Sequence, residues 1–254
     1  MITFFSPLEQ FIVLPVVTLS STFFFTINNL LITFLTLAFF FSILIISLLK
    51  KNTNNLFLIP NRWQLFFEIL FLNISSVIQS NIQSDQNHKF FPIVGSTFLF
   101  VLTLNVFGLI PYSFTITSEL IITLFLSLLI FIGIQIIAIR IHKLKFFSLF
   151  LPSGISVQLG LLLFPIEFIS FFFKPISLSI RLFVNMMAGH TLLKVIAGFT
   201  WLIMGVSGIF SIFHYVPVII LVVLFFIEFV IALIQAFVFV ILICIYINDV
   251  YNLH

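Results

Sequence analysis

SLSIRLFVNMMAGH, residues 177–190, holds one arginine, Arg181, and no acid, inside an apolar run from Ile155 to about Thr200. What surrounds that cation decides the fold. Of the 254 residues, 62% are hydrophobic and 7% charged, with a mean hydropathy of +1.37. Soluble domains carry about 25% charged residues. A bilayer core of about 30 Å needs roughly 20 residues of helix, and several runs here are that long. Only helices or closed barrels satisfy their backbone in hydrocarbon, and the alternating ten-residue segments of barrel strands are absent. The chain is therefore expected to be an all-α polytopic membrane protein, a single membrane domain over residues 1–254. About five membrane helices plus one interfacial amphipathic helix account for it.

The net charge of +3 rests on ten basic residues spread along the chain, which gives no footprint for nucleic acid. A single cysteine, Cys244, excludes an internal disulfide and reads as lipid-facing or as core filler. Thirty-nine phenylalanines, with many Ile, Leu, Asn and Ser, resemble the residue usage of an AT-rich organellar genome. The start MITFFSPLEQFIVLP has no basic leader region and no small-residue cleavage site, which argues against a secretory signal or an Arg-rich transit peptide.

Along the chain, a first span at 22–49 is stopped by Lys50, Lys51 and Pro60. Residues 61–80 place Trp63, Phe66, Phe67, Leu70, Ile74, Val77 and Ile78 at spacings of three and four. Arg62, Gln64, Glu68, Asn73 and Ser76 interrupt that run, so it reads as a helix lying in the interface. Spans follow at 91–110 and 120–139, the second ending in Arg140, Lys143 and Lys145. Two spans between the basic clusters put both on one side, a positive-inside pattern with the N-terminus opposite. The last two apolar blocks, 155–200 and 208–247, are each around 40 residues. Helices of that length run about 60 Å, twice the bilayer, so they either break or lie steeply tilted.

Ionisable residues inside those blocks are costly, from about 3 to well over 10 kcal/mol each at mid-membrane, and generally functional. The first block holds Glu167, Lys174, Arg181, His190 and Lys194; the second holds His214, Glu228 and, at its end, Asp249. At 100° per residue, Glu167, Lys174 and Arg181 fall within about 40° of one stripe, and Asn185 continues it. His190 falls on the opposite side, while Glu228 and Gln235 share a face of their own helix. Arginine stays charged where a buried lysine could lose its proton. Arg181 therefore suits a gate, with a partner carboxylate supplied from another subunit.

KPISLSIRLFVNMMAGHTLLKVIAGF and IEFVIALIQAFVFVILICIYINDVYNLH strongly resemble subunit a (subunit 6) of the F-type proton-transporting ATP synthase, in its mitochondrially encoded form. SPLEQF, FGLIPYSFT and LPSGI extend the resemblance over most of the chain. It implies a stator subunit of the Fo motor, with the last two helices forming a long tilted hairpin against a rotating ring of c subunits. Arg181 then matches the gate facing the ring carboxylates. Asn185, His190, Glu228 and Gln235 match the inlet half-channel, and Glu167 and Asp249 the outlet. Histidine suits the inlet because its ordinary pKa near 6.5 allows exchange at ambient pH. Lys174 and Lys194 are expected to snorkel or to meet lipid phosphates. Where bacterial relatives carry an aspartate, this chain has Gly108, with Asn105 nearby.

The resemblance further implies a large hetero-oligomer with the c ring, peripheral-stalk and other Fo subunits, and lipids such as cardiolipin. It places the chain in the mitochondrial inner membrane, N-terminus toward the intermembrane space and C-terminus toward the matrix. No phosphate-binding loop is present, so no catalytic site is expected on this chain, and nothing suggests a cofactor or metal. The alternative class is a proton-translocating subunit of a respiratory complex or a secondary transporter. Internal or inverted repeats, which the chain lacks, would mark those proteins.

Overall fold

A computed structural model describes residues 6–18, 26–49, 62–82, 87–110, 113–143, 157–205 and 214–251. Lys50, Lys51, Pro60, Lys145, the 151–155 stretch and the 206–213 connection between the last two blocks lie outside them. A short ribbon, β1 (Pro15–Thr18) and β2 (Thr26–Asn28), pairs antiparallel with a bulge between Pro15 and Val17. Six helices follow: α1 (Asn29–Leu49), α2 (Arg62–Asn81), α3 (Asn87–Gly108), α4 (Leu120–His142), α5 (Val157–Met204) and α6 (Tyr215–Tyr251).

Among the described residues, four stretches are long and apolar enough to cross a membrane: Lys89–Gly108, Leu120–His142, Leu162–Met204 and Tyr215–Tyr251. α1, with 21 residues, has a helical path of about 31 Å. Its first turn starts at Asn29 because that side chain fixes the preceding chain. Oδ1 accepts from the Leu14 N–H and Nδ2 donates to the Ile12 carbonyl, each at 3.2 Å.

α5 and α6 contain 48 and 37 residues, helical paths of about 72 and 56 Å. Pro165 and Pro175 lie inside α5 without ending it. Each proline removes one backbone hydrogen bond and crowds the carbonyl four residues earlier. In hydrocarbon no water competes for the bonds that remain, so the helix continues.

The chain divides into two compact units. Unit 1 comprises residues 1–65, 101–119 and 184–234; unit 2 comprises 66–100, 120–183 and 235–254. In unit 1, Leu109, Met186 and Ala232 form a buried cluster where α5 and α6 meet. Asn105, fully buried on α3, donates to the Ala232 carbonyl at 3.4 Å. Gly108 is buried against Thr115, whose Cγ2 would lie 3.3 Å from a Cβ at 108.

In unit 2, helical spacing selects the core. α2 buries Ile74 and Ile78, followed by Ile82 just past its end, and α3 buries Phe90, Val94 and Phe98, each set at i, i+4, i+8. α6 contributes Phe239, Ile243, Cys244 and Ile247. Cys244 is thus core filler. A hydroxyl pair, Ser179 Oγ donating to Thr123 Oγ1 at 3.2 Å, joins α5 to α4 where both residues are buried. His142 Nε2 donates to the Val250 carbonyl at 2.8 Å and fastens the end of α6.

Large apolar side chains face outward throughout, among them Ile121, Phe125, Trp201 and Phe226, each at least 63% exposed. That inversion is what a lipid surround requires, since water would penalise so much apolar area.

Candidate functional site

Five of the expected channel residues form two constellations, Asn185, His190 and Glu228 in unit 1 and Glu167 and Asp249 in unit 2; Arg181 and Gln235 join neither. In unit 1, Met186 packs with Ala232 and Gly189 meets Glu228, so α5 and α6 run antiparallel at their contact. Gly189 permits this approach because it carries no Cβ. Glu228 is 5% exposed, and its Oε1 lies 3.6 Å from His190 Nε2. Neither carboxylate oxygen has a hydrogen-bond partner among the described residues.

A cleft of about 260 Å³ opens beside this pair, lined by Asn185, Ala188, Gly189, Leu192, Glu228 and neighbouring aliphatic residues. Asn185 and His190 are five residues apart, about 140° around the helix. Both nevertheless flank the same carboxylate, because the helix contact is centred on Gly189 between them. Helical phase alone puts His190 on the side of α5 opposite Arg181, but a phase angle describes one helix, and the partner helix reaches both shoulders of Gly189.

In unit 2, a small cavity of about 40 Å³ brings together Glu167, Lys174, Tyr246 and Asp249, with Gln135, Phe131 and Phe171 completing the wall. Lys174 Nζ donates to Asp249 Oδ2 at 3.1 Å and stands 5.3 Å from the centre of the Tyr246 ring. Lys174 therefore does not serve as a snorkelling residue alone, nor is Glu167 its partner in this structure. Gln135 was not singled out from the sequence; a lone amide in the otherwise apolar 120–139 run was the available signal.

Arg181 lies in unit 2 on the exposed side of α5, where Leu178, Ser179 and Leu182 are buried and Ile180 is exposed. Serine 179 is about 200° from residue 181 on the wheel, so anchoring one inward turns the other outward. Arg181 makes no ion pair among the described residues. It does not line the cavity that holds Glu167 and Lys174, although the three share a stripe. Fourteen residues separate Glu167 from Arg181, about 21 Å along the axis, and a shared face is not a shared site. Gln235 is buried on α6 within unit 2. Among the described residues no three His, Cys, Asp or Glu side chains are placed to hold a metal ion.

Fold and site together define a polytopic helical membrane protein that carries ionisable side chains within its spans. The profile of the family described as ATP synthase A chain matches residues 30–248, and the chain belongs to that family. It is similar to ATP synthase subunit a of Pylaiella littoralis, 48% identical over 252 residues, covering 99% of this chain and 100% of the relative. The subunit a of Chondrus crispus is 44% identical, with 98% and 97% covered. That of Marchantia polymorpha is 41% identical, with 98% and 99% covered.

Proposed function

We propose that this chain is the proton-translocating stator subunit of an ATP synthase Fo motor. The observation that carries the reading is the Glu228–His190 pair, 3.6 Å apart and buried between α5 and α6 at a cleft shared with Asn185. An acid and a base held together inside membrane-spanning helices are expensive unless they work on a proton. The family membership and the relatives named subunit a support the same reading.

In this scheme protons enter by way of Asn185, His190, Glu228 and Gln235. They neutralise a carboxylate on a ring of c subunits, which can then leave Arg181 and turn into lipid. After nearly a full turn the proton is released past Glu167 and Asp249. Arg181, exposed and without an ion pair among the described residues, presents a permanent cation to each arriving carboxylate and separates the two routes. Without that separation the field, about 2.3 kcal/mol per charge per 100 mV, would be lost as leak.

The setting is the mitochondrial inner membrane, with the N-terminus toward the intermembrane space and the C-terminus toward the matrix; the basic residues at 140 and 143 support that orientation. Partners are the c ring, the peripheral stalk and other Fo subunits, and lipids including cardiolipin; the nucleotide chemistry belongs to other chains.

The test is Arg181→Ala in the assembled complex. ATP-driven proton pumping into vesicles is expected to vanish while the ring still co-purifies. Pumping at the normal rate rejects the assignment.

A further inference from the structure

The outlet cavity contains two carboxylates and one cation, and the cation engages the carboxylate farther from it in sequence. Lys174 follows Glu167 by seven residues, two turns on nearly the same face of α5, yet it bonds Asp249 on α6. The pair is not enclosed by this chain, its side chains being 34% and 44% exposed. The two ends also differ in freedom: the backbone beside Asp249 is fastened through the His142–Val250 hydrogen bond, whereas lysine carries its charge on a flexible four-carbon stem. The cavity, about 40 Å³, has room for water between the groups.

We propose that Lys174 is a mobile counter-ion of the outlet, alternating between Asp249 and Glu167 as a proton passes. The inference rests on the reading of Glu167 and Asp249 as outlet groups. With a proton on Glu167, Lys174 pairs with Asp249 and the three groups sum to zero charge. The proton then moves from the Glu167 carboxyl to an Asp249 oxygen, through water in the cavity. Asp249 becomes neutral, Glu167 becomes the carboxylate, and Lys174 swings to it. Asp249 next gives its proton to water on the inner side and regains Lys174, leaving Glu167 ready for the following proton. One proton enters and one leaves, and the ammonium stays protonated throughout. At no step are two unpaired carboxylates left facing each other with their cation absent. The ring face of Tyr246 offers the ammonium a resting surface during the exchange.

A static ion pair and a mobile counter-ion make different predictions for a residue that Lys174 does not touch. In whole ATP synthase in inverted membrane vesicles, Lys174→Gln and Glu167→Gln are each expected to slow ATP-driven pumping roughly tenfold. The double variant is expected to be no slower than the slower single one, because both changes break the same exchange. Lys174→Arg retains pumping within about twofold, since it keeps a cation on a long stem. Slowing that multiplies in the double variant to about a hundredfold means independent roles and overturns the proposal. So does pumping at the normal rate in Lys174→Gln; if Glu167→Gln still slows pumping, the outlet reading survives that result. Normal pumping in Glu167→Gln sinks the outlet reading and the inference with it. Should Lys174→Gln fail to accumulate as assembled complex, Lys174→Met supplies the same comparison.

Discussion

Gly189 and Glu228 approach so closely in unit 1 that a Cβ on residue 189 would stand 2.6 Å from Glu228 Oε1 and 2.9 Å from its Cδ. The helix contact and the position of the carboxylate are thus one feature. Gly189→Ala forces either the helices apart or the carboxylate out of reach of His190. Overpacking of this kind costs about 1–3 kcal/mol. The expected result is assembled complex with pumping slowed about tenfold or more; unchanged pumping would show that the Glu228 position is not critical.

Glu228 and Lys194 are both ionisable residues within the long helices, but only Glu228 is buried against a base at the cleft. Glu228→Gln keeps the shape and removes the proton-accepting charge. It is expected to slow proton transport severely, while Lys194→Gln leaves it near normal. Equal rates for the two variants, measured as pumping per assembled complex, argue against Glu228 as a relay.

Gly108 is packed too closely for an acid to fit without a shift. A Cβ would already lie 3.3 Å from Thr115 Cγ2, and residue 108 is buried. Gly108→Ala needs a shift of a few tenths of an ångström and is expected to assemble. Gly108→Asp adds an unpaired buried charge costing several kcal/mol and is expected to reduce the complex recovered from membranes. Equal recovery of the two variants contradicts this packing account.

Thr123 accepts the hydrogen bond from Ser179, two residues before Arg181. Thr123→Val preserves volume and removes the acceptor, a loss of about 1 kcal/mol. Faster heat dissociation of the complex is expected for Thr123→Val and near-normal behaviour for Thr123→Ser. The same rate of dissociation in both would mean that the hydroxyl pair does not hold α4 to α5.

Much of the fold was legible in the sequence because hydrocarbon allows few solutions. Continuous apolar runs longer than about 20 residues in this composition leave helices as the economical structure. Less legible was the start of α1, where Asn29 binds backbone groups of residues 12 and 14 and the chain before it pairs as β2. No periodicity announces a side chain that fastens a turn fifteen residues away. The extra turn of α4 through His142 is another such case, since His142 finds its partner at Val250, far along the chain.

By itself the sequence determined that the chain is a helical membrane protein and which ionisable residues lie in or at the end of its long apolar runs, among them Arg181, His190, Glu228, Glu167, Lys174 and Asp249. Those conclusions follow from composition, run length and the cost of charge in lipid, all local properties. Tertiary structure alone decided who meets whom. It joined Asn185 and His190 around Glu228 through Gly189, gave Lys174 to Asp249 instead of Glu167, and added Gln135 to their cavity. Helical phase fixes the direction in which a side chain leaves its own axis. The register of one helix against another is set by where small residues allow contact and where hydroxyls and amides find partners.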